Sequence, residues 1–350
     1  MEFIIEEGKC LDKETSTLIL PALSIGNVGQ LAVDLLVSST RAERIGYLDD
    51  PYILPCVGND AYGPTPCGEL ALPLEAYDSR NNRVALVQQR SPVVKVVGML
   101  SSPSFLIIMY VNLDVGLYAV LVSISYTKLE TTESPAEKIL LSQSIFHIFE
   151  LLLILDNTLT MHEKLGMMVG FAKNLADFAV AAGMNHVLVL SSLEFMRLQK
   201  IDSSSGMQIY YLSSTNTDGT DDCCERLGWK KWQEYNPDQR TWKYLSTLAE
   251  GNARQDDNLP FEDEPEDEDY YPSLPFAALF SCFKAKGIKV TCLMCYCSEG
   301  DNTPEAFGLA EATSKLLGLS LDNSHEGGGK WRIPFSWRTV YGPPPDLSMF

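Results

Sequence analysis

Three short patterns in this 350-residue chain carry residue types that can do chemistry. Gly26-Asn27-Val28-Gly29 stands between an apolar run and a helical repeat. Free N–H groups and the helix dipole favour anions at such a place, so the loop resembles a phosphate cradle. It lacks the Lys-Ser/Thr of a Walker loop and the third glycine of a dinucleotide fingerprint. A plain tight turn with Asn27 as a helix cap is therefore the favoured reading. Cys292-Leu-Met-Cys295-Tyr-Cys297 invites a metal through its CxxC. No second CxxC or paired histidine lies at zinc-finger spacing, and an apolar strand that uses cysteine as a small hydrophobe accounts for the run. Ser298-Glu299-Gly300-Asp301 follows that strand at its carboxyl end, where α/β proteins place ligands, so its two acids could serve acid–base work. The competing reading, a turn in which Asp301 or Thr303 caps the next helix, is favoured. The four histidines (His147, His162, His186, His325) form no recognisable constellation, and no serine sits in a GxSxG elbow. No catalytic, cofactor-binding or metal-binding residue is assigned.

The elements that must position these residues follow from periodicity. Thr17 to Leu23 is an apolar run, Ser24 to Gln30 a glycine turn, and Leu31, Leu35 and Leu36 recur at helical spacing, which predicts strand, turn, helix. Short strands are expected near Arg44 to Leu48 and Arg83 to Gln88. Met167, Phe171, Leu175, Phe178 and Ala182 step by three or four and predict a helix over 166–182 that ends at Gly183. His186 to Leu190 then reads as a buried parallel strand. The order recurs with a helix over 276–286, a break at Gly287, a strand over 288–297, and a helix opened by a Thr303 cap and Pro304 that runs through Leu317. Alternating strands and helices predict a single three-layer α/β/α domain over 1–350 with a mainly parallel sheet.

Composition bounds the function. A net charge of −19 repels phosphate backbones and anionic lipid, so nucleic acid is not expected as a partner. Nine cysteines at scattered positions and an acidic N-terminus fit reduced thiols in the cytosol, with no signal or transit peptide. Adjacent Cys223 and Cys224 are expected in a surface loop, unbridged to one another. Residues 251–272 read as an acidic disordered loop, with nine acids between Asp256 and Asp269. A docking site for a basic partner is the lesser reading of that run. Residues 96–165 separate a strand from a helix by far more than an ordinary βα joint and read as an insertion. Its stretch Phe105 to Tyr126 is long enough to span a bilayer, but Asn112 and Asp114 near the middle argue against that. An accessory helix pair or a misfolding-prone insert is expected instead.

The tail, 339–350, follows interleaved aromatics and cations from Lys330 to Arg338 and contains Pro343-Pro344-Pro345. Such an end can reach a pocket on another protein, or its tryptophans can pack on the body while the last residues fray.

Leu20-Pro-Ala-Leu-Ser-Ile-Gly-Asn-Val-Gly-Gln-Leu31 with the following residues to Leu36, Arg44-Ile-Gly-Tyr47, Val57-Gly-Asn59, Ser298-Glu-Gly-Asp-Asn302 and Trp331-Arg-Ile-Pro-Phe-Ser-Trp-Arg338 together resemble the proteasome assembly chaperone 2 family. The resemblance runs from Thr17 to Phe350, with 96–165 as the main exception. It implies a nucleoside-phosphorylase-like core without that catalysis. It also implies a heterodimer with proteasome assembly chaperone 1 that engages the 20S proteasome α subunits, promotes α-ring formation and prevents off-pathway ring pairing, in cytoplasm and nucleus. Partner-binding residues expected on that basis are Gly26, Asn27, Val28, Gly29, Gln30, Trp331, Trp337 and the terminal Leu347, Ser348, Met349 and Phe350. Family relatives that insert a C-terminal tail between α subunits carry a penultimate tyrosine, and Met349 departs from it. Residues 96–165 are read as a retained intron or gene-model artefact, because removal joins Lys95 to Gly166 and restores an ordinary βα joint. The rival function is an α/β enzyme acting on a nucleoside or phosphorylated small molecule at Gly26 to Gly29 and Ser298 to Asp301.

Overall fold

The computed structural model describes residues 1–62, 70–99, 107–111, 161–198, 207–252, 270–322 and 330–339. The acidic run 256–269, most of 96–165, His147, His325 and the terminal Leu347, Ser348, Met349 and Phe350 lie outside them.

Apolar runs without alternation form the centre of the sheet: β2 (Thr17–Pro21), β7 (Val84–Gln89), β10 (His186–Glu194) and β13 (Lys289–Cys297). They pair in parallel in the order β7-β2-β10-β13, and helices cover them on both faces as a parallel sheet requires. The α/β expectation holds, but parallel pairing is confined largely to this centre. On one side β6 (Leu74–Ser79), β3 (Glu43–Asp49) and β1 (Glu2–Ile5) continue antiparallel. On the other, β11 (Tyr210–Ser213) runs antiparallel to β13, with the short β12 (Lys230–Lys231) parallel beyond it. The reason lies in the connections: β6 and β7 are joined by one tight turn, Arg80–Asn82, which permits only antiparallel pairing. β4 (Gly58–Asn59) pairs with β5 (Leu70–Ala71) apart from this nine-stranded sheet. Likewise β8 (Val94–Met99) pairs antiparallel with β9 (Ile107–Val111) at the start of the expected insertion.

Helices cover both faces. α1 (Val28–Thr40) and α6 (Thr303–Leu317) pack together on one, while α2 (Met161–Ala181), α4 (Arg240–Glu250) and α5 (Pro275–Ala285) occupy the other. α2 starts five residues before the expected 166, and Leu165 is buried in its core. It ends as expected at Gly183, whose φ of 74° suits a residue without Cβ. α1 is buried at every position except Gln30, which explains its unpatterned apolarity. On the opposite face Trp232 is ringed edge-on by Trp242, Tyr271 and Phe276 at centroid distances of 6.3, 4.9 and 5.5 Å. Cys223 and Cys224 sit in the short helix α3 (Asp222–Arg226), not a loop. Asp221 caps it by accepting from Cys223 N at 2.9 Å, and Cys224 is buried. Among the described residues no helix is long and apolar enough to cross a membrane.

Candidate functional site

Parallel pairing brings the carboxyl ends of β2, β10 and β13 to one edge of the sheet, with Pro21 beside Leu190 and Glu194 beside Cys297. Open α/β sheets bind ligands there. The chain leaves β2 through Ser24, makes a 3-10 turn over Ile25–Asn27 and enters α1. Gly26 has φ 64°, and a Cβ on it would run into the Asn302 side-chain amide; a Cβ on Gly29 would run into the carbonyl of Leu190. Ser192 Oγ donates to Ile25 O at 2.5 Å and lies 2.9 Å from Ser24 Oγ, while the Cys297 thiol reaches the same Ile25 carbonyl at 3.5 Å. The glycines thus serve close packing: the turn lies against buried Asn302 and the backbone of β10, which is the tight-turn reading.

Asn27 holds the N-cap position, but its left-handed backbone (φ 53°) is not the extended conformation that lets a cap side chain reach back, and it makes no capping bond. The expectation that Asn27 caps α1 is corrected accordingly. Asp301 accepts from Thr303 N at 3.0 Å, and its hydrogen bonds to Thr303 hold its carboxyl below the usual range. Ser298 to Asp301 is an exposed turn, as favoured. Thr303 is the first residue of α6 and Asn302 its cap position, which corrects the Thr303 cap.

The three cysteines of β13 are buried, and the strand sends Cys292 to one face and Cys295 and Cys297 to the other. A pair three apart on a strand cannot share an ion. Burial also raises the Cys295 thiol far above its ordinary pKa and pushes Cys297 up to about 11, so neither offers a thiolate at neutral pH. Among the described residues no group of three or more His, Cys, Asp or Glu side chains could hold a metal.

A polar cluster that the sequence reading missed lies under the first half of α1. Asp34, 6% exposed, accepts from Arg90 Nη2 at 2.9 Å, Gln88 Nε2 at 2.6 Å and Tyr62 OH at 2.6 Å. Arg90 Nε also donates to Glu75 at 2.9 Å, and Glu75, 1% exposed, accepts from Arg44 at 3.2 Å and Tyr77 OH at 3.0 Å. Gln88 Nε2 donates further to Gln30 O at 2.9 Å. Burial alone would lower the Arg90 guanidinium; Asp34, Tyr62 and Glu75 outweigh it and hold the proton firmly. Two carboxylates and one guanidinium thus lock α1 to β6 and β7. The only sequence signal was polar residues at core positions of apolar elements, Asp34 in a helix and Gln88 in a strand.

Residues 330–339 form a strap across α1 and α6. Arg332 N donates to Ser39 Oγ at 2.9 Å, and Ser336 N donates to Ala61 O at 3.0 Å. Trp337 stacks edge-on against Phe307 at 5.8 Å, and Trp331 packs against the same core. Both tryptophans are half-buried against their own chain, so the alternative in which they pack on the body is the one realised for them. Of the expected partner-binding residues, Gly26 and Asn27 lie in the 3-10 turn, and Val28, Gly29 and Gln30 open α1.

The chain matches the PAC2 family over residues 18–102. It is 55% identical over 89 residues to proteasome assembly chaperone 2 of Nematostella vectensis, an alignment that takes 24% of this chain and 36% of that protein. Those shares make this chain about one and a half times as long as that relative. Proteasome assembly chaperone 2 of Danio rerio is 23% identical over 338 residues, and that of Homo sapiens 23% over 340, each covering 95% of this chain and 94% of the relative. Pyrococcus furiosus PbaA, described as an archaeal homolog of proteasome-assembly chaperone, covers 92% of this chain and 88% of its own at 13% identity, with a TM-score of 0.46. The PAC2 match takes in the glycine turn, and this chain is similar along nearly its whole length to proteasome assembly chaperone 2.

Proposed function

We propose that this chain is a non-enzymatic chaperone of 20S proteasome assembly. It acts in cytoplasm and nucleus as a heterodimer with proteasome assembly chaperone 1, promotes α-ring formation and prevents off-pathway ring pairing. The names of its full-length relatives support this reading. The structural observation that carries it is the packed strand-end turn: Gly26 and Gly29 lie against Asn302 and Leu190, where an enzyme of this architecture would bind a small molecule. Its mechanism is then surface complementarity, and its acidic surface suits basic patches on a partner, where charge tunes rate and specificity.

Co-expression of the full chain with proteasome assembly chaperone 1, followed by affinity capture and mass spectrometry, tests the reading. Recovery of that partner with 20S α subunits and few mature particles is the expected result. Recovery of neither, together with a thermal shift on adding phosphate or nucleosides, would overturn it in favour of the enzyme.

Residues 96–165 enter the same proposal as a retained intron or gene-model artefact, a reading that the greater length of this chain supports. Sequencing the transcript across Lys95 and Gly166 decides it, and a dominant message encoding the block would sink the idea.

A further inference from the structure

Two adjacent strands leave the sheet side by side at its carboxyl edge, since Glu194 of β10 pairs with Cys297 of β13. Beyond Glu194 the chain makes a 3-10 turn over Phe195–Arg197; beyond Cys297 it enters exposed Ser298 to Asp301. Met196 is 84% exposed and Phe195 39%. Frayed ends expose apolar groups too, but this turn is pinned. The Arg197 guanidinium lies 3.6 Å over the Tyr270 ring and 3.6 Å from the Glu194 carboxylate. Tyr270 OH donates to that carboxylate at 3.4 Å, and Leu198 N donates to Phe195 O at 3.0 Å. Tyr270 is itself stacked edge-on with buried Tyr271.

A methionine held out on an ordered turn costs little further ordering when something covers it, and its flexible thioether adapts to the surface it meets. The charge beside it selects what that surface is. Arg197 is engaged with Glu194, whereas Glu299 and Asp301 stand exposed on the neighbouring strand exit. A second copy of this acidic chain would set acids against acids, and an anionic membrane would be repelled.

We infer that the Phe195–Arg197 turn, with Glu299 and Asp301, docks a partner protein segment that presents one apolar side chain flanked by lysine or arginine. The inference does not depend on the assembly role.

The test uses the full chain and a short fluorescent peptide with one central leucine flanked by lysines, against the same peptide with glutamates. Fluorescence anisotropy measures affinity, and hydrogen exchange locates the footprint. Salt-sensitive binding of the lysine peptide is expected, with protection over 194–198 and 298–302. Met196→Asp and the pair Glu299→Lys/Asp301→Lys should each weaken it about tenfold or more. Val180→Asp, at a 50% exposed site near the end of α2 and at the opposite edge of the sheet, should leave it unchanged and controls for folding. No binding, equal binding of the glutamate peptide, a footprint elsewhere, or wild-type affinity in both variants would overturn the inference. A wild-type chain that shows this footprint yet captures no chaperone 1 would instead refute the assembly role and leave the surface standing.

Discussion

Replacing Arg90 by methionine removes the one cation shared by Asp34 and Glu75 and leaves the stem volume largely filled. In the native chain Arg90 reaches both carboxylates at 2.9 Å, with its own side chain 19% exposed and those of Asp34 and Glu75 9% and 2%. Removing one partner of a buried ion pair typically costs roughly 3–5 kcal/mol, because the remaining charge is stranded without solvent. Arg44 still holds Glu75 at 3.2 Å, and Gln88 and Tyr62 still donate to Asp34, so the cost should fall near the lower end, about 3 kcal/mol. Urea denaturation of the full chain measures it, with an unchanged slope as evidence that compactness is not altered. One signature separates electrostatics from packing. Adding Asp34→Asn and Glu75→Gln should recover at least about 1 kcal/mol, since neutral amides strand no charge. A loss below about 1 kcal/mol, or no recovery in the triple variant, would refute the view that this cluster locks α1 to the sheet.

Three further outcomes follow from the same packing. Gly29→Ala should destabilise by about 1–3 kcal/mol in urea, because its methyl meets the backbone of β10; Gly26→Ala should regain part of its loss when Asn302→Ala is added, leaving the strain of φ 64°. His186, whose pKa burial and then Lys289 push down to about 4, lies below its unfolded value near 6.5. Its stabilisation is therefore complete above about pH 6.5 and lost as pH falls through about 4, up to about 3 kcal/mol, and His186→Gln should flatten that part of the stability profile. Iodoacetamide should label exposed Cys10 and Cys223 in the native chain, whereas buried Cys282, Cys292 and Cys295 should react only after unfolding, as peptide mapping would show.

Local patterns determined more of this molecule than its motifs did. The apolar run, glycine turn and helix of 17–40, the stop at Gly183, the strand beginning at His186 and the Pro304 helix all depend on hydrophobic period and turn chemistry within a few residues, and all are where the sequence puts them. The role of Cys292 and Cys295 as small hydrophobes in an apolar strand was equally legible, and both are buried. The ordered motifs from Leu20 to Arg338 carried the resemblance to proteasome assembly chaperone 2. Tertiary structure alone decided what meets across long separations. Asp34, Glu75 and Arg90 each look like surface charges until β6 and β7 fold beneath α1. Gly26 meets Asn302 only because β13 comes to lie beside β10, next to β2. Glu2 to Ile5 is too short to mark a strand by its own pattern and becomes one by pairing with β3. Period and turn chemistry are short-range properties of the chain; the pairing of charges and the closing of a turn by a distant side chain depend on which elements become neighbours, and that is settled only when the whole sheet is assembled.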